Sequence, residues 1–491
     1  VAFEPLELEP LEWLERLARR HDAELGPLRQ LDDYYEGCQP LAYMHPELLK
    51  ELDDRIKKVV INWPRLIVDS VEERLDVEGF RRGSDAEADA KLWDIWQYND
   101  LDEQSQMGHV DALTMRRGFV CVGSNPEEDE PPLITVESPL QMYADTDPRT
   151  RRVRAALRRW NDDELSVGGQ VRQQYATLYL PNDTIHYHFD EGWTEIDRDE
   201  HNLGLPPIEP LVNRPRPLRP LGVSELVDVV PLSDAACKIA TDMMVGAEYH
   251  AIPRRWVWGV DKDDFIGPDG KPVGAWSQLM GRLWSNEKGP GEIEAGQFPE
   301  SSLANFHETI NALARLVASI SGLPPHYLGY STENPASADA IRSSEARLVK
   351  RAERKQRSFG GSWERVMRLA ERIMDGKWNE KSRSLETIWR DASTPTEAAK
   401  ADATVKKKTA GIIDNEQARE DLGYTSVQRG RMRRREQAAA RALERAMAGD
   451  LAAGVGPKPG PGEPADDGQA VPPPPPARRP AGVSGGAAAG G

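Results

Sequence analysis

Between residues 303 and 320 the apolar positions alternate in steps of three and four: Leu303, Phe306, Ile310, Leu313, Val317 and Ile320. That spacing makes a narrow helix-to-helix seam, thinner than the stripe of a helix lying on a broad core. It predicts a helix that packs along a neighbour. Gly322 suits the left-handed C-cap conformation and Pro324-Pro325 cannot continue a helix, so the chain is expected to turn sharply there. A loop rich in small residues follows, then a long charged helix over residues 333–375. Gly360-Gly361 interrupts it, each glycine weakening the helix by about 1 kcal/mol and together marking an expected bend. Upstream, Leu232, Ala236, Ile239, Met243 and Ala247 give another helix an apolar stripe, with Ser224 and Ser233 as candidate N-caps on either side of Pro231.

The remaining pattern divides the chain further. Residues 10–115 read mostly helical, with amphipathic spacing at 11–25, 46–60 and 85–99. From 118 to about 193 the pattern becomes strand-like. Short β-favouring runs at 119–122, 133–136, 175–180 and 185–189 are separated by Gly, Pro, Asn and Asp, which predicts an antiparallel sheet packed on the helices. Six prolines between 206 and 220 predict an extended connector. Residues 251–301 lose helical periodicity and are broken by glycine and proline into short strands and turns. Thr394-Pro395-Thr396-Glu397 forms a capping box with proline at the first helical position, opening a helical module that ends near 448. Residues 451–491, dominated by Gly, Ala and Pro and lacking any aromatic, are expected to be disordered or polyproline-like.

A chain of 491 residues exceeds what one core usually organises, so two or more modules are expected. Hydrophobic content of 39% with 29% charged residues fits a folded, soluble protein, and no apolar run approaches the roughly 18 residues of a membrane span. The opening VAFEPLELEPLEWLERL is acidic and lacks the basic start and apolar core of a signal peptide. Cys38, Cys121 and Cys237 are far apart with no C-x-x-C, which fits unpaired, structurally buried thiols in a reducing cytosol. The net charge of −18 argues against a protein that grips nucleic acid over its whole surface, because such affinity comes from Lys and Arg displacing phosphate counterions. DNA as a passing cargo is still compatible with it, since an acidic wall lets a duplex slide.

Catalytic signatures fail, and neither a catalytic residue, a metal site nor a cofactor site is assigned. No G-x-x-x-x-G-K-[ST] loop occurs. His307-Glu308 begins a zincin-like pattern, but Asn311 stands where the second ligand belongs. His186 and His188 share one side of an expected strand without a third ligand. Asp145 and Asp147 precede Pro148 in a turn-like sequence that fits turn formation better than two-metal chemistry.

One ordered set of segments resembles a known family. The stretch SGLPPHYLGYSTENPASADAIRSSEARLVKR beginning at Ser321 is similar to the stem-to-tunnel-loop region of tailed-bacteriophage portal, or head-to-tail connector, proteins, especially those of long-tailed actinobacterial phages. LDDYYEGCQPL near the N-terminus, VVINWPRLIVDSVEERLDVEGFR at 59–81, LWDIWQYNDLDEQSQMGHVDAL at 92–113 and GVSELVDVVPLSDAACKIATDMM at 222–244 look similar too. In order, they cover most of residues 30–375, and the likeness thins after about 380.

The resemblance implies an α+β portal fold assembled as a dodecameric ring. Its parts would be a wing at 1–222, a first stem helix at 223–250, a clip at 251–301, a second stem helix at 302–322 and a tunnel loop at 323–336. A long kinked wing helix and return would follow at 337–394, a helical crown at 395–450 and the tail at 451–491. The implied function is mechanical. The ring would form a channel at one capsid vertex, through which a separate terminase ATPase packages double-stranded DNA and from which the genome is later ejected. Implied partners are further copies of the chain, sequence-independent duplex DNA, the large terminase subunit, head-completion or adaptor proteins, and major capsid and scaffolding proteins, with no membrane. The location would be the virion, after assembly in the host cytoplasm.

Candidate residues follow from that placement. Between 222 and 248 the charges are Glu225, Asp228, Asp234, Asp242 and Glu248 against Lys238 alone. On one chain this is a solvated helix face; around a ring it becomes a negative field that centres DNA. Like unit charges repel by about 1 kcal/mol at 4 Å in water, and salt screens them within roughly 8 to 10 Å, so the effect is a lubricating bias. Glu308 and Arg315 complete the expected stem set. Tyr330, Ser331, Thr332, Glu333 and Asn334 are the tunnel-loop candidates. Arg254, Arg255, Trp256, Trp258, Trp276 and Trp284 give the clip anchors for partner docking or a local core. Arg429, Arg431, Arg433, Arg434 and Arg435 are either a solvated face or the crown's contact with packaged DNA. Two other functions remain open: a nuclease using a carboxylate metal site that includes Asp145, and a cellular helical scaffold paired through the heptad seam, whose helix is equally half of an intrachain hairpin.

Overall fold

Pro10 occupies the first turn of helix α1 (Pro10–Glu36), where its missing N–H leaves no bond unmade, and the Glu12 carboxylate accepts the Glu9 N–H at 3.0 Å. Gly37 at φ 74° ends the helix. The helix runs past residue 25, where periodicity weakens, and carries Pro27 in its interior. Burial of Leu28 and Tyr34 beyond it offsets the lost backbone bond. The computed structural model describes residues 8–40, 59–83, 88–127, 130–162, 173–250, 255–258, 294–297, 303–329, 338–393, 397–424 and 426–453. They fall into two units, 1–426 and 427–491.

The first unit mixes helices and antiparallel sheets. Helix α2 (Trp63–Glu72), strand β1 (Val77–Arg82), helix α3 (Ala90–Tyr98) and helix α4 (Leu101–Thr114) precede a run of strands. These are β2 (Arg117–Gly123), β3 (Leu133–Glu137), β4 (Met142–Thr146), β5 (Val153–Asp162), β6 (Gln173–Tyr179), β7 (Thr184–Phe189), β8 (Trp193–Asp199) and β9 (Ile208–Val212). They form a three-stranded sheet in the order β3-β2-β9 and a five-stranded sheet in the order β4-β5-β6-β7-β8. Trp13, Leu14 and Leu17 of α1 pack on the larger sheet against Leu157, Leu178 and Ile185. Helix α5 (Val230–His250) and helix α6 (Ala304–Ser321) flank the short antiparallel pair β10 (Arg255–Trp258) and β11 (Glu294–Gln297).

Helix α7 (Ala338–Asp375) is the spine of the largest core. Its Trp363 meets Trp96 edge-on, with ring centroids 5.0 Å apart, and donates its Nε1–H to His109 Nε2 at 3.0 Å. Burial pushes the His109 imidazole down to about 3, so it stays neutral and able to accept that bond. Strand β12 (Leu385–Trp389) returns to pair with β1, and Arg82 ties the junction by bonding Asp89 and Glu371, each at 2.7 Å, and Ser382. Helices α8 (Glu397–Thr409) and α9 (Asn415–Asp421) follow. The long helix α10 (Ser426–Ala453) carries most of the described part of the second unit.

Several expectations change. Helix α7 is continuous through Gly360-Gly361, and Gly360 serves close packing: a Cβ there would stand 3.0 Å from Trp389 Nε1. Residues 223–229 are turns, so α5 starts at Val230 with Pro231 in its first turn. Ser233, already inside the helix, donates its hydroxyl to Ile61 O at 3.2 Å instead of capping. Cys121 and Cys237 are buried as expected, but Cys38 is exposed beside the Gly37 cap. The expected helix at 46–60 lies almost wholly outside the described residues, as do Thr394, Pro395, Thr396 and the tail from 454 onward.

Helix α2 ends in a crowd of carboxylates. Burial, with Asp76, Asp69 and Glu73 nearby, raises the Glu72 carboxyl to about 7. Its folded value lies above the ordinary one, so the folded chain holds the extra proton between these values and loses stability as pH rises through that window. Glu72→Gln is therefore expected to raise the melting temperature at pH 8 and to change it little at pH 4.5. The gain is about 1 kcal/mol, because solvent reaching the group screens its neighbours. Thermal melts of both proteins across this range check it.

Candidate functional site

Helices α5 and α6 pack on each other through small residues, Ala236 and Ala240 on one side and Ala314, Val317 and Ala318 on the other, all buried. The seam read from the sequence is only partly covered. Leu303, Phe306, Ile310 and Leu313 are half-buried and Val317 is buried, while Ile320 stays 45% exposed and the adjacent Leu316 51%. Gly322, at φ 73°, ends α6, and a 3-10 turn (Pro325–Leu328) follows. The Tyr327 hydroxyl accepts from Arg74 Nη2 at 3.1 Å and donates to Glu345 at 3.2 Å. Arg347 Nη1 donates to Ser319 O at 2.6 Å. The turn that leads toward the expected loop is thus tied to Arg74 and to the first half of α7. Tyr330, Ser331, Thr332, Glu333 and Asn334 themselves lie outside the described residues.

Beside the end of α6 lies a cleft of about 540 Å³, and three stretches of chain build it. The first is the corner that leads into α5. Gly222 sits at φ 82°, where a Cβ would stand 2.5 Å from Asn213 O and 2.6 Å from Arg116 O, so only glycine fits. Val223 N–H donates to Asn213 O at 2.9 Å, and Glu225 N–H donates to Leu113 O at 2.9 Å on the end of α4. These bonds aim the Glu225 side chain inward. The second wall is α7, where Arg347, Lys350, Arg351, Arg354, Lys355 and Ser358 recur at helical spacing on one face. The end of α6 supplies the third.

Glu225 is the centre of this site. Its side chain is 2% exposed and accepts from Lys355 Nζ and Arg351 Nη2, each at 2.5 Å, with Arg214 Nη1 at 3.9 Å. Lys355 also donates to Asn213 Oδ1. Burial alone would push the Glu225 carboxyl up; Lys355 and Arg351 outweigh it and hold it at about 2. Glu225 is therefore ionised at neutral pH, and it consumes charge from Lys355 and Arg351. Lys350 is 72% exposed, and Arg347 and Arg354 are exposed as well. Asp228, 3.4 Å from Arg214, is the other carboxylate of the cleft. Among the described residues that line it, six cations stand against two carboxylates, which makes it a basic pocket in a chain of net charge −18.

The expected stem set is thus dispersed. Glu225 is corrected: it is buried among cations, so its carboxylate cannot face a channel. Asp228 lies at the cleft. Asp234 accepts from the Tyr34 hydroxyl at 2.9 and 3.0 Å, a contact with α1. Lys238 and Asp242 pair along α5 at 2.7 Å, and Glu308 and Arg315 are exposed on α6. Of the clip candidates, Arg254, Trp276 and Trp284 lie outside the described residues. Arg255, Trp256 and Trp258 lie on β10, and only their backbone is described. The crown arginines all fall within α10, which begins ten residues before the expected alanine-rich helix; Arg431, Arg434 and Arg435 are exposed and Arg429 is buried. Asp145 holds ion pairs with Arg20 and Arg154, which fill the oxygens a metal would need, and Asp147 accepts the Arg149 and Thr150 N–H groups in a turn.

Comparison with known proteins places the chain. A family model described as phage portal protein, SPP1 Gp6-like, matches residues 14–445. The chain is 42% identical over 388 residues to the portal protein of Mycobacterium phage D29, covering 76% of this chain and 78% of that one. It is also 42% identical over 386 residues to the portal protein of Mycobacterium phage L5, with the same coverage. Among solved structures, a chain from the virion of a native gene transfer agent particle matches at 15% identity and a TM-score of 0.45, over 78% of this chain and 94% of that one.

Proposed function

The chain belongs to the SPP1 Gp6-like phage portal protein family, and on that premise we propose that copies of it close into a ring, dodecameric in this reading, at one vertex of a phage head. Duplex DNA passes through the bore, driven inward by a separate terminase ATPase and later released through the same path. The α5–α6 pair lines the narrow part of that bore, and the segment between β10 and β11 docks first the terminase and then head-completion proteins. The protein itself catalyses nothing; its work is mechanical. Recognition of DNA is independent of sequence, because a sliding duplex offers backbone charge and no fixed base edge.

The observation that carries the assembly is the half-covered seam on α6. A helix pair that leaves Leu316 and Ile320 on its surface has apolar area left for a neighbour. A head-to-tail arrangement, in which different faces of each copy meet, covers it by closing a ring. Particle imaging of purified protein tests this: rings with a central opening are expected, and monomers or open filaments at high concentration would refute it.

Charge in the bore gives a second test. With Glu225 withdrawn from the set and Asp234 tied across to Tyr34 of α1, the probe on α5 is Asp242, whose partner Lys238 lies on the same helix. Asp242→Lys is expected to leave rings intact and to slow DNA packaging severalfold, by turning the balanced Lys238–Asp242 pair into two cations that attract the duplex along the path. Unchanged packaging kinetics in a defined head-filling assay would remove the acidic-wall idea.

A further inference from the structure

We propose that the basic cleft on α7 receives the acidic edge strand β8 of a second copy of this chain, joining neighbours in the ring; this rests on the ring reading above. Around Glu225 the cleft's charge is settled, but at its mouth it is not. Arg354 makes no ion pair among the described residues, and Lys350 reaches only Glu353, at 2.8 Å on its own helix. Cations concentrated on one face of a strongly acidic chain mark a place where an anionic surface belongs.

Strand β8 offers that surface. It closes the five-stranded sheet, with β7 as its single hydrogen-bonded neighbour among the described residues, and nearly all of it is exposed. Between residues 190 and 200 the chain carries six acidic side chains and one basic one, Arg198, which is engaged by Glu195 at 2.8 Å. A bulge after Glu195 leaves Asp197 and Asp199 opposite His186 and Thr184, on the face away from the buried Tyr187 and Ile185. Ile196, at the bulge, is 58% exposed and supplies an apolar contact beside the carboxylates. Charged side chains on an edge strand ordinarily prevent unwanted sheet addition. A run of one sign does more, because it selects a partner of the opposite sign.

Apolar surface favours this occupant over DNA. Ile320, 45% exposed, lines the cleft beside its cations, and Ile196 of the strand can cover it where a phosphate backbone cannot. Cleft and strand are different surfaces of the same chain, so their contact is heterologous and repeats from copy to copy until it closes.

Reciprocal charge reversal in the full-length protein tests the contact. Lys350→Glu with Arg354→Glu, and separately Asp197→Lys with Asp199→Lys, change exposed groups outside the Glu225 cluster. Each pair is expected to raise the protein concentration needed for ring formation at least tenfold, read by mass photometry, with far-ultraviolet circular dichroism unchanged. Combining all four is expected to restore rings to within about threefold of wild type. Rings that form normally in either pair, or a combination that fails to recover, overturn the contact. Cleft-reversed rings that assemble normally but no longer retain a duplex also overturn it, and assign the cleft to phosphate. Wild-type protein that forms no rings overturns the ring reading and this contact together, an outcome distinct from wild-type rings with indifferent variants.

Discussion

Glu225→Ala is expected to cost about 3–5 kcal/mol of folding stability, read as a lower urea midpoint with little change in slope. The carboxylate is 2% exposed and holds Lys355 and Arg351, so removing it leaves Lys355, 8% exposed, without its anion where water barely reaches, and strips a partner from half-buried Arg351 as well. Lys355 is itself buried, and its remaining polar contact, Asn213, carries no charge. Asp228→Ala, a few residues away on an exposed side chain, is expected to change stability by less than about 0.5 kcal/mol. The pH dependence separates the Glu225 cluster from a packing defect. The folded Glu225 carboxyl sits at about 2, below its ordinary range, so its contribution is complete above pH 4.5 and disappears as pH falls toward 2. The cost of Glu225→Ala should shrink over that window; a constant deficit at every pH would mean that the ion pairs contribute nothing.

Trp363→Ala is the other large effect, expected at about 3–5 kcal/mol from the cavity left in the main core. The ring is fully buried between α3 and α4, edge-on to Trp96, and its Nε1–H satisfies His109. Trp363→Phe divides the loss. It keeps much of the ring contact but leaves the His109 nitrogen without a donor, and is expected to cost about 1–3 kcal/mol. Equal losses for the two variants would mean that the hydrogen bond, and not the volume, dominates.

The legible parts of the fold were those whose pattern is strong on one face. Strands β2, β3, β6 and β7 alternate apolar and polar residues or are apolar throughout, and all four lie where that pattern puts them. Strands β5 and β8 escaped notice because Arg154, Arg158 and Arg159, or Glu195, Asp197 and Asp199, interrupt the alternation with charge. Strands β1 and β12 are legible only as a pair, since neither has a distinctive composition and their partners are distant in the chain. The seam on α6 and its Gly322 stop were evident because a heptad spacing and a left-handed cap are local properties. The basic cleft was not. Its cations on α7, at 347, 350, 351, 354 and 355, were read only as part of a long charged helix, and Glu225 was counted with its acidic neighbours. Charge summed along a chain carries no information about burial; only the Gly222 corner, which turns Glu225 inward, reveals whose counter-charge it is.

The β1–β12 pairing bears on how the protein is made. Arg82 and its partner Ser382 are 300 positions apart, and Glu371 is almost as far. At about 5–20 residues per second, a ribosome needs roughly 15–60 s to supply the second half of that junction after the first emerges. For this interval β1 has no strand to pair with, and the Trp96 side of the core waits without Trp363. The nascent chain therefore spends most of its synthesis as a sticky, unfinished intermediate, and its yield should depend on chaperone capacity more than on the stability of the completed fold.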